Sequence, residues 1–114
     1  MVSMAQIQEL ADRIAMAFRP ERIVLFGSYS SGSPTTDSDV DLMVIAEHTG
    51  RNREYATRIR NRLHPSFPLD LLVRTPAELR ERLAWRDPFF REITERGKVL
   101  YEADHARMDR EGRS

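Results

Sequence analysis

Apolar residues are grouped in two ways along this chain: at helical spacing and in short continuous runs. Near the start they recur every three or four positions, which is the spacing of one helix face: Met4, Ile7, Ala11, Ile14 and Phe18. Ser3 followed three residues later by Gln6 is typical of a capping box. We therefore predict a helix over residues 3–18, which Pro20 ends.

The continuous apolar runs predict strands, because they are too short for buried helices. They cover residues 22–26, 39–46, 67–74 and 98–102. Helical spacing and helix-start residues predict three further helices: one over residues 51–64, one that begins at Thr75-Pro76 with Glu78 in its first turn, and one between Asp87 and Gly97.

The connections between the strands predict how they pair. The polar segment 29–38 forms a loop, or a short helix and a loop, too short for a full crossover helix, so the first two strands are expected to be antiparallel. The helix over 51–64 joins the second and third strands, which are therefore expected to be parallel. The predicted fold class is α/β (α+β), a mixed β-sheet of three to four strands with helices packed on it. Residues 1–102 form this domain, and residues 103–114, which have no apolar periodicity, are assigned to a flexible tail.

The composition of the 114 residues excludes several classes of function. Lys and Arg together number 18, as do Asp and Glu, whereas a dedicated non-specific nucleic-acid binder would have a basic surplus. The absence of cysteine excludes disulfide scaffolds, zinc–thiolate sites and thiol nucleophiles. No apolar run reaches membrane-spanning length and no signal peptide is evident, so we expect a cytoplasmic protein without membrane contact.

Two acids interrupt the second predicted strand. Asp39 and Asp41 are two positions apart, so both side chains point to the same face, about 7 Å apart along the strand. Carboxylates in this arrangement repel each other and lose hydration, a cost that a bound cation would remove. The alternative is that both acids serve as helix caps or turn residues.

The third predicted strand also has an acid within an apolar run. Asp70 lies near the start of its strand, as Asp39 and Asp41 do in theirs, so the three carboxylates converge if the strands are parallel neighbours. Oxygen ligands without His or Cys suit a hard cation, Mg²⁺ or Mn²⁺. Otherwise Asp70 is an edge-strand acid that faces solvent.

Gly27 and Ser28 end the first strand, on the side of the sheet where its antiparallel neighbour begins. Glycine lets the backbone approach a ligand closely, and Ser28 with the amides after it can donate hydrogen bonds to a phosphate. The alternative is that Ser28 is a plain turn residue. A metal beside a phosphate site is the arrangement used for phosphoryl or nucleotidyl transfer.

The spacing of these residues resembles the signature of the DNA polymerase β-like nucleotidyltransferase superfamily. Ten residues separate Gly27-Ser28 from Asp39-x-Asp41, and residues 25–42 are similar to the minimal branch, the MNT proteins, which are often antitoxins encoded with HEPN-domain toxins. The resemblance extends over roughly residues 5–102. It implies a polymerase β-like nucleotidyltransferase fold.

The resemblance also implies a role for each candidate residue. Asp39 and Asp41 would bind the metal ions and, through them, the nucleotide phosphates. Asp70 would ligate the catalytic metal and help to deprotonate the acceptor. Gly27 and Ser28 would hold the β- and γ-phosphates. The implied reaction is metal-dependent transfer of NMP, first of all AMP from ATP, to a HEPN-type toxin, with this chain as the antitoxin.

Two other functions stay open at this stage. A non-catalytic binding module would neutralise a partner toxin by masking it. A small-molecule nucleotidyltransferase would modify an aminoglycoside-like acceptor, but the larger relatives shape that pocket with a second domain that this chain lacks. We therefore expect an acceptor side that is open or completed by another protein, in a homo- or hetero-oligomer.

The helix over 51–64 is rich in arginine, with Arg51, Arg58 and Arg62 on one side of its apolar stripe and Arg53 and Arg60 on the other. These side chains either contact RNA, a triphosphate or an acidic partner, or form an ordinary solvated face. A similar choice, between a partner-binding patch and the core, is open for three aromatic residues: Trp85, Phe89 and Phe90.

Overall fold

The computed structural model describes residues 1–104, so most of the segment predicted as a tail lies outside the described residues. Within this range the chain forms, in order, α1 (Met4–Phe18), β1 (Arg22–Phe26), α2 (Ser28–Ser31), β2 (Val40–Ile45), α3 (Asn52–Leu63), β3 (Leu69–Arg74), α4 (Pro76–Ala84), α5 (Pro88–Arg96) and β4 (Lys98–Glu102). None of the helices in the described range is long and apolar enough to span a membrane.

Two helices begin at capping boxes, as their sequences predict. The Ser3 hydroxyl accepts a hydrogen bond from the Gln6 amide at 3.1 Å, and the Gln6 side chain accepts one from the Ser3 amide at 2.8 Å. Thr75 and Glu78 make the same reciprocal pair at the start of α4. Each box satisfies amide groups that the first helical turn leaves without an intrahelical partner.

The four strands form one sheet in the order β3-β2-β1-β4. The β1 strand is antiparallel to β2 and to β4, and β2 is parallel to β3. Both pairings predicted from connection length are therefore confirmed, and the mixed sheet with packed helices is the predicted fold class.

The sheet has an apolar core on each face. Alternate residues of β2 point to opposite faces, so Leu42 and Val44 join α1 and α3 in one core, whereas Met43 and Ile45 join α4 and α5 in the other. The same alternation assigns Asp41 to the α4 and α5 face.

The structure corrects three details of the sequence prediction. The β2 ladder begins at Val40, whose amide donates to the Pro68 carbonyl, so Asp39 lies one residue before the strand. The β3 strand likewise begins at Leu69, two residues later than predicted. On α1, Met4 is 38% exposed and does not belong to the buried face, which instead includes Leu10 and Ala15.

Candidate active site

Two of the predicted site residues are direct neighbours across the sheet. Asp41 of β2 and Asp70 of β3 are Cα partners in the parallel ladder, and Phe26 of β1 is the Cα partner of Asp41 on the other side. The three residues therefore form a row across the start of β2. The two carboxylates in this row are close enough to form a side-chain hydrogen bond.

This arrangement changes the acidity of Asp41. Partial burial, then the negative charge of Asp70 and the hydrogen bond to it, raise the pKa of Asp41 from 3.8 to about 6, and the charge of Asp39 adds to the rise. A carboxyl group with this pKa holds its proton until near neutral pH. Asp41 is thus the residue of this cluster whose ionised form is destabilised by burial and by the neighbouring negative charges.

Asp39 and Asp70 are both exposed, at the open side of the site. Asp39 precedes β2 and acts on Asp41 through its charge. As the side chains stand in residues 1–104, no three His, Cys, Asp or Glu residues form a closed group that could hold a metal ion.

The chemistry of these residues still fits a divalent cation. The donors are carboxylate oxygens, which hard cations prefer, and the raised pKa of Asp41 comes from burial and from negative charge that a cation would offset. Asp39, Asp41 and Asp70 are the residues that would hold the ion.

Gly27 lies against Asp41 in a way that only glycine allows. Its backbone has φ +74° and ψ −153°, a region that residues with side chains rarely adopt. A Cβ atom built at Gly27 would lie 2.2 Å from Oδ2 of Asp41. The Asp41 carboxylate therefore occupies the space that a side chain at position 27 would need.

Ser28 follows at once as the first residue of α2. The Gly27 carbonyl accepts hydrogen bonds from the amides of Ser30 and Ser31, both at 3.1 Å, which closes this short turn. The Ser30 hydroxyl donates to the carbonyl of Arg96 at 3.0 Å and ties α2 to the end of α5. These contacts hold Gly27 and Ser28 beside the Asp41 carboxylate.

A cavity that sequence reasoning missed opens next to this turn. It has a volume of about 600 Å³, and Phe26, Gly27 and Ser30 line one side, while Phe89, Glu92 and Arg96 of α5 line the other. Its walls come from elements more than 50 residues apart in the chain, so no local spacing could reveal it. The sequence feature that could have indicated it is the aromatic pair at residues 89–90, which the sequence alone leaves as either a binding patch or part of the core.

Of the three aromatic residues, the structure places one in the core and leaves two exposed. Phe90 is buried between the sheet and the helices, whereas Phe89 and Trp85 are 51% and 64% exposed. Two of the arginines on α3 also have defined contacts. The Arg58 guanidinium lies 5.1 Å from the centre of the Tyr55 ring, and the Arg60 guanidinium donates a hydrogen bond to the Leu69 carbonyl. These two arginines therefore have structural contacts within the domain.

Residues 8–106 match the sequence model of a family described as polymerase beta, nucleotidyltransferase. This chain belongs to the polymerase beta nucleotidyltransferase family. It is a nucleotidyltransferase, and the resemblance drawn from Gly27-Ser28 and Asp39-x-Asp41 is confirmed at the level of the family.

Relatives agree with this membership. A protein of Methanocaldococcus jannaschii, named as a candidate protein adenylyltransferase, is 25% identical over 99 residues, which are 83% of this chain and 94% of that protein. A candidate nucleotidyltransferase from Sulfolobus solfataricus superposes with a TM-score of 0.61 at 17% identity, over 88% of this chain and 80% of that one.

A chain from a crystal structure of a toxin–antitoxin with AMP-PNP gives a TM-score of 0.50 at 22% identity. The match covers 86% of this chain and 75% of that one. At these identities, the two solved structures establish the nucleotidyltransferase fold and nothing finer.

Proposed function

We propose that this nucleotidyltransferase transfers AMP from ATP to a hydroxyl group of a partner protein, that the partner is a HEPN-type toxin, and that the transfer neutralises it. The Methanocaldococcus jannaschii relative, which is named as a candidate protein adenylyltransferase, supports a protein acceptor. The structural neighbour described as a toxin–antitoxin with AMP-PNP supports an adenine nucleotide and a place in a toxin–antitoxin pair.

One observation carries the enzymatic part of the proposal: Asp41 faces Asp70 across the ladder and lies against Gly27. A binding module that only masks a partner has no use for two adjacent carboxylates. Their mutual repulsion and loss of hydration cost stability in a protein without a ligand.

In the proposed reaction, Asp39 and Asp41 hold the divalent ion, and Asp70 contributes a further oxygen. The ion, when bound, neutralises charge on the phosphates and on the leaving group. The Gly27 backbone and Ser28 hold the β- and γ-phosphates, which keeps the α-phosphorus next to the carboxylates.

The acceptor oxygen then attacks the α-phosphorus in line with the bond to the β-phosphate. A new P–O bond forms, the bond to the bridging oxygen breaks, and pyrophosphate leaves with the bonding electrons. Asp70, which is exposed at the open side of the site, receives the proton of the acceptor hydroxyl. The products are an AMP-modified partner and pyrophosphate.

The experiment is a labelling assay with α-labelled ATP, Mg²⁺ and the candidate HEPN-domain partner. We expect label on the partner with wild type, none with Asp39→Asn/Asp41→Asn, and at least ~100-fold less with Asp70→Asn, because misplaced reacting groups lose rate steeply. Asp12→Asn, which changes an exposed acid on α1, is the matched control and should label normally.

Failure of wild type to label the partner with any of the four NTPs, although it binds Mg²⁺-ATP, would disprove transfer to that protein. Label on RNA or on an aminoglycoside instead would assign a different acceptor to the same site.

A further inference from the structure

The cavity beside Gly27 is large enough to hold a small-molecule ligand. Its volume of about 600 Å³ falls within the range of small-molecule pockets, roughly 300–1,000 Å³. It lies between the β1–α2 turn and the outer face of α5, and it is open to solvent at the rim formed by Glu92 and Arg96.

Two residues that line this cavity also lie beside the acidic site. Gly27 lines the cavity, and the absent side chain of the same residue leaves room for Oδ2 of Asp41. Phe26 also belongs to both, since it lines the cavity and is the Cα partner of Asp41 in the β1–β2 ladder. A molecule in the cavity would therefore lie next to residues that are in direct contact with Asp41 or paired with it.

The apolar wall of the cavity is built from two aromatic rings. The Phe26 and Phe89 rings meet edge to face, with centroids 5.9 Å apart and planes at 87°. The Phe89 ring also packs edge to face with the Phe90 ring, at 5.4 Å and 85°, yet remains 51% exposed. An aromatic ring that is fixed by its neighbours and open to solvent is suited to stacking against a flat ligand.

Polar side chains of α2 and α5 lie on the other sides of the cavity. The Ser30 hydroxyl is bonded to the Arg96 carbonyl, and Arg96 and Glu92 form a loose pair with Nε and Oε2 3.6 Å apart. A Cβ atom on Gly97 would lie 2.3 Å from the Ile93 carbonyl oxygen and 2.6 Å from a Val24 methyl group, so the end of α5 packs tightly on β1. The backbone around the cavity is thus fixed, and Arg96 and Glu92 add an exposed cation and an exposed acid that a ribose or a phosphate could contact.

We infer that this cavity receives the nucleoside part of the nucleotide, with the base stacked on Phe89 and the phosphates passing over Gly27 to the carboxylates. The inference rests on the proposed function, and it adds a positioning role for α5, which lies outside the Gly27-Ser28 and Asp39-x-Asp41 motif.

The test compares two probes: a non-hydrolysable ATP analogue and inorganic tripolyphosphate, each with Mg²⁺ and measured by calorimetry. Base–aromatic stacking contributes about 1–3 kcal/mol, so Phe89→Ala should weaken binding of the ATP analogue about 5- to 150-fold. Binding of tripolyphosphate should not change, because it has no base. Phe89→Tyr keeps the ring and should restore affinity for the analogue.

Trp85→Ala is the matched control, since Trp85 is an exposed aromatic residue of the same region that does not line the cavity. It should bind both probes as wild type does. A second measurement is independent of substitutions: photocrosslinking of wild type with 8-azido-ATP should label the peptide that contains residues 89–97.

The outcomes separate this inference from the proposed function. If wild type binds neither probe, the proposed function fails. If wild type binds both probes and Phe89→Ala binds the analogue equally well, the nucleoside lies elsewhere and only the inference is overturned. Crosslinking confined to peptides outside 26–31 and 89–97 would overturn it too, even if Phe89→Ala does not fold.

Discussion

Asp41 and Asp70 face each other across the parallel β2–β3 ladder, and their carboxyl groups are within reach of a shared hydrogen bond. Gly27, which has no side chain, lies on another side of Asp41. Neither of these neighbours carries a positive charge that would stabilise the Asp41 carboxylate.

The stability of the protein should depend on the protonation of Asp41. Because the pKa of Asp41 is about 6 in the folded state and 3.8 is the ordinary value, the folded state binds more protons between these pH values. The free energy of unfolding should therefore fall as pH rises from about 4 to 6, and the full cost is present above pH 6. After allowance for solvent screening, we expect a loss on the order of 1 kcal/mol.

Asp41→Asn isolates this effect in urea unfolding at several pH values without metal. The variant should be more stable than wild type at pH 7, and the difference should vanish below pH 4. Glu78 acts in the opposite sense, since hydrogen bonding to Thr75 lowers the pKa of Glu78 and its contribution is lost in acid, so the difference between proteins is the quantity to follow. A difference that does not change with pH would contradict the assignment.

A divalent cation with ATP should stabilise wild type. A ligand that binds only the folded state at a hundred times its Kd adds about 2.7 kcal/mol, which corresponds to a rise in Tm on the order of 10 °C for a domain of this size. Asp39→Asn/Asp41→Asn should melt above wild type without metal and respond little to Mg²⁺ or Mn²⁺. An equal response of the two proteins in a thermal-shift assay would show that the ion binds elsewhere.

Gly27→Ala should abolish transfer. The new Cβ would collide with Oδ2 of Asp41 and would also strain a backbone at φ +74°, at a cost of about 1–3 kcal/mol for the strain alone. Gly32→Ala is the matched control because φ is +83° there but no atom lies within 4 Å of the new Cβ. It should lose stability only. Labelling rate and Tm, measured together, distinguish the two; equal rates would contradict the role of Gly27.

Catalysis and masking make different predictions in cells that express the partner toxin. If transfer is the mechanism, Asp41→Ala and Asp70→Ala should fail to protect the cells although both variants still bind the toxin. Survival of cells that contain either variant, at equal protein levels, would instead show that binding alone neutralises the toxin. Trp85→Ala changes an exposed aromatic residue outside the acidic site, since Trp85 is 64% exposed. It therefore tests whether the exposed surface around Trp85 contributes to binding of the toxin.

Much of the local structure could be predicted from the chain. The capping boxes at Ser3 and Thr75 depend on residues three positions apart, so their hydrogen bonds are determined within one helical turn. The β1 and β4 strands have the bounds that their apolar runs predict. The spacing between Gly27-Ser28 and Asp39-x-Asp41 was sufficient to indicate the family.

The position of Asp39, one residue before β2, could not be predicted from the residues around it. Sequence alternation assigned Asp39 and Asp41 to one strand, but β2 begins only at Val40, where the amide finds its partner in the Pro68 carbonyl. That partner is 28 residues away in sequence, so the spacing of acids near residue 40 carries no information about it.

The sequence by itself determined the order of helices and strands and the family, because caps, periodicity and motif spacing are short-range properties. Only the tertiary structure decided that Asp41 pairs with Asp70, that β4 lies beside β1, and that Phe89 faces a cavity while Phe90 is buried. These relationships depend on hydrogen-bond registers and on packing between distant segments, which form only when the whole sheet and its helices come together.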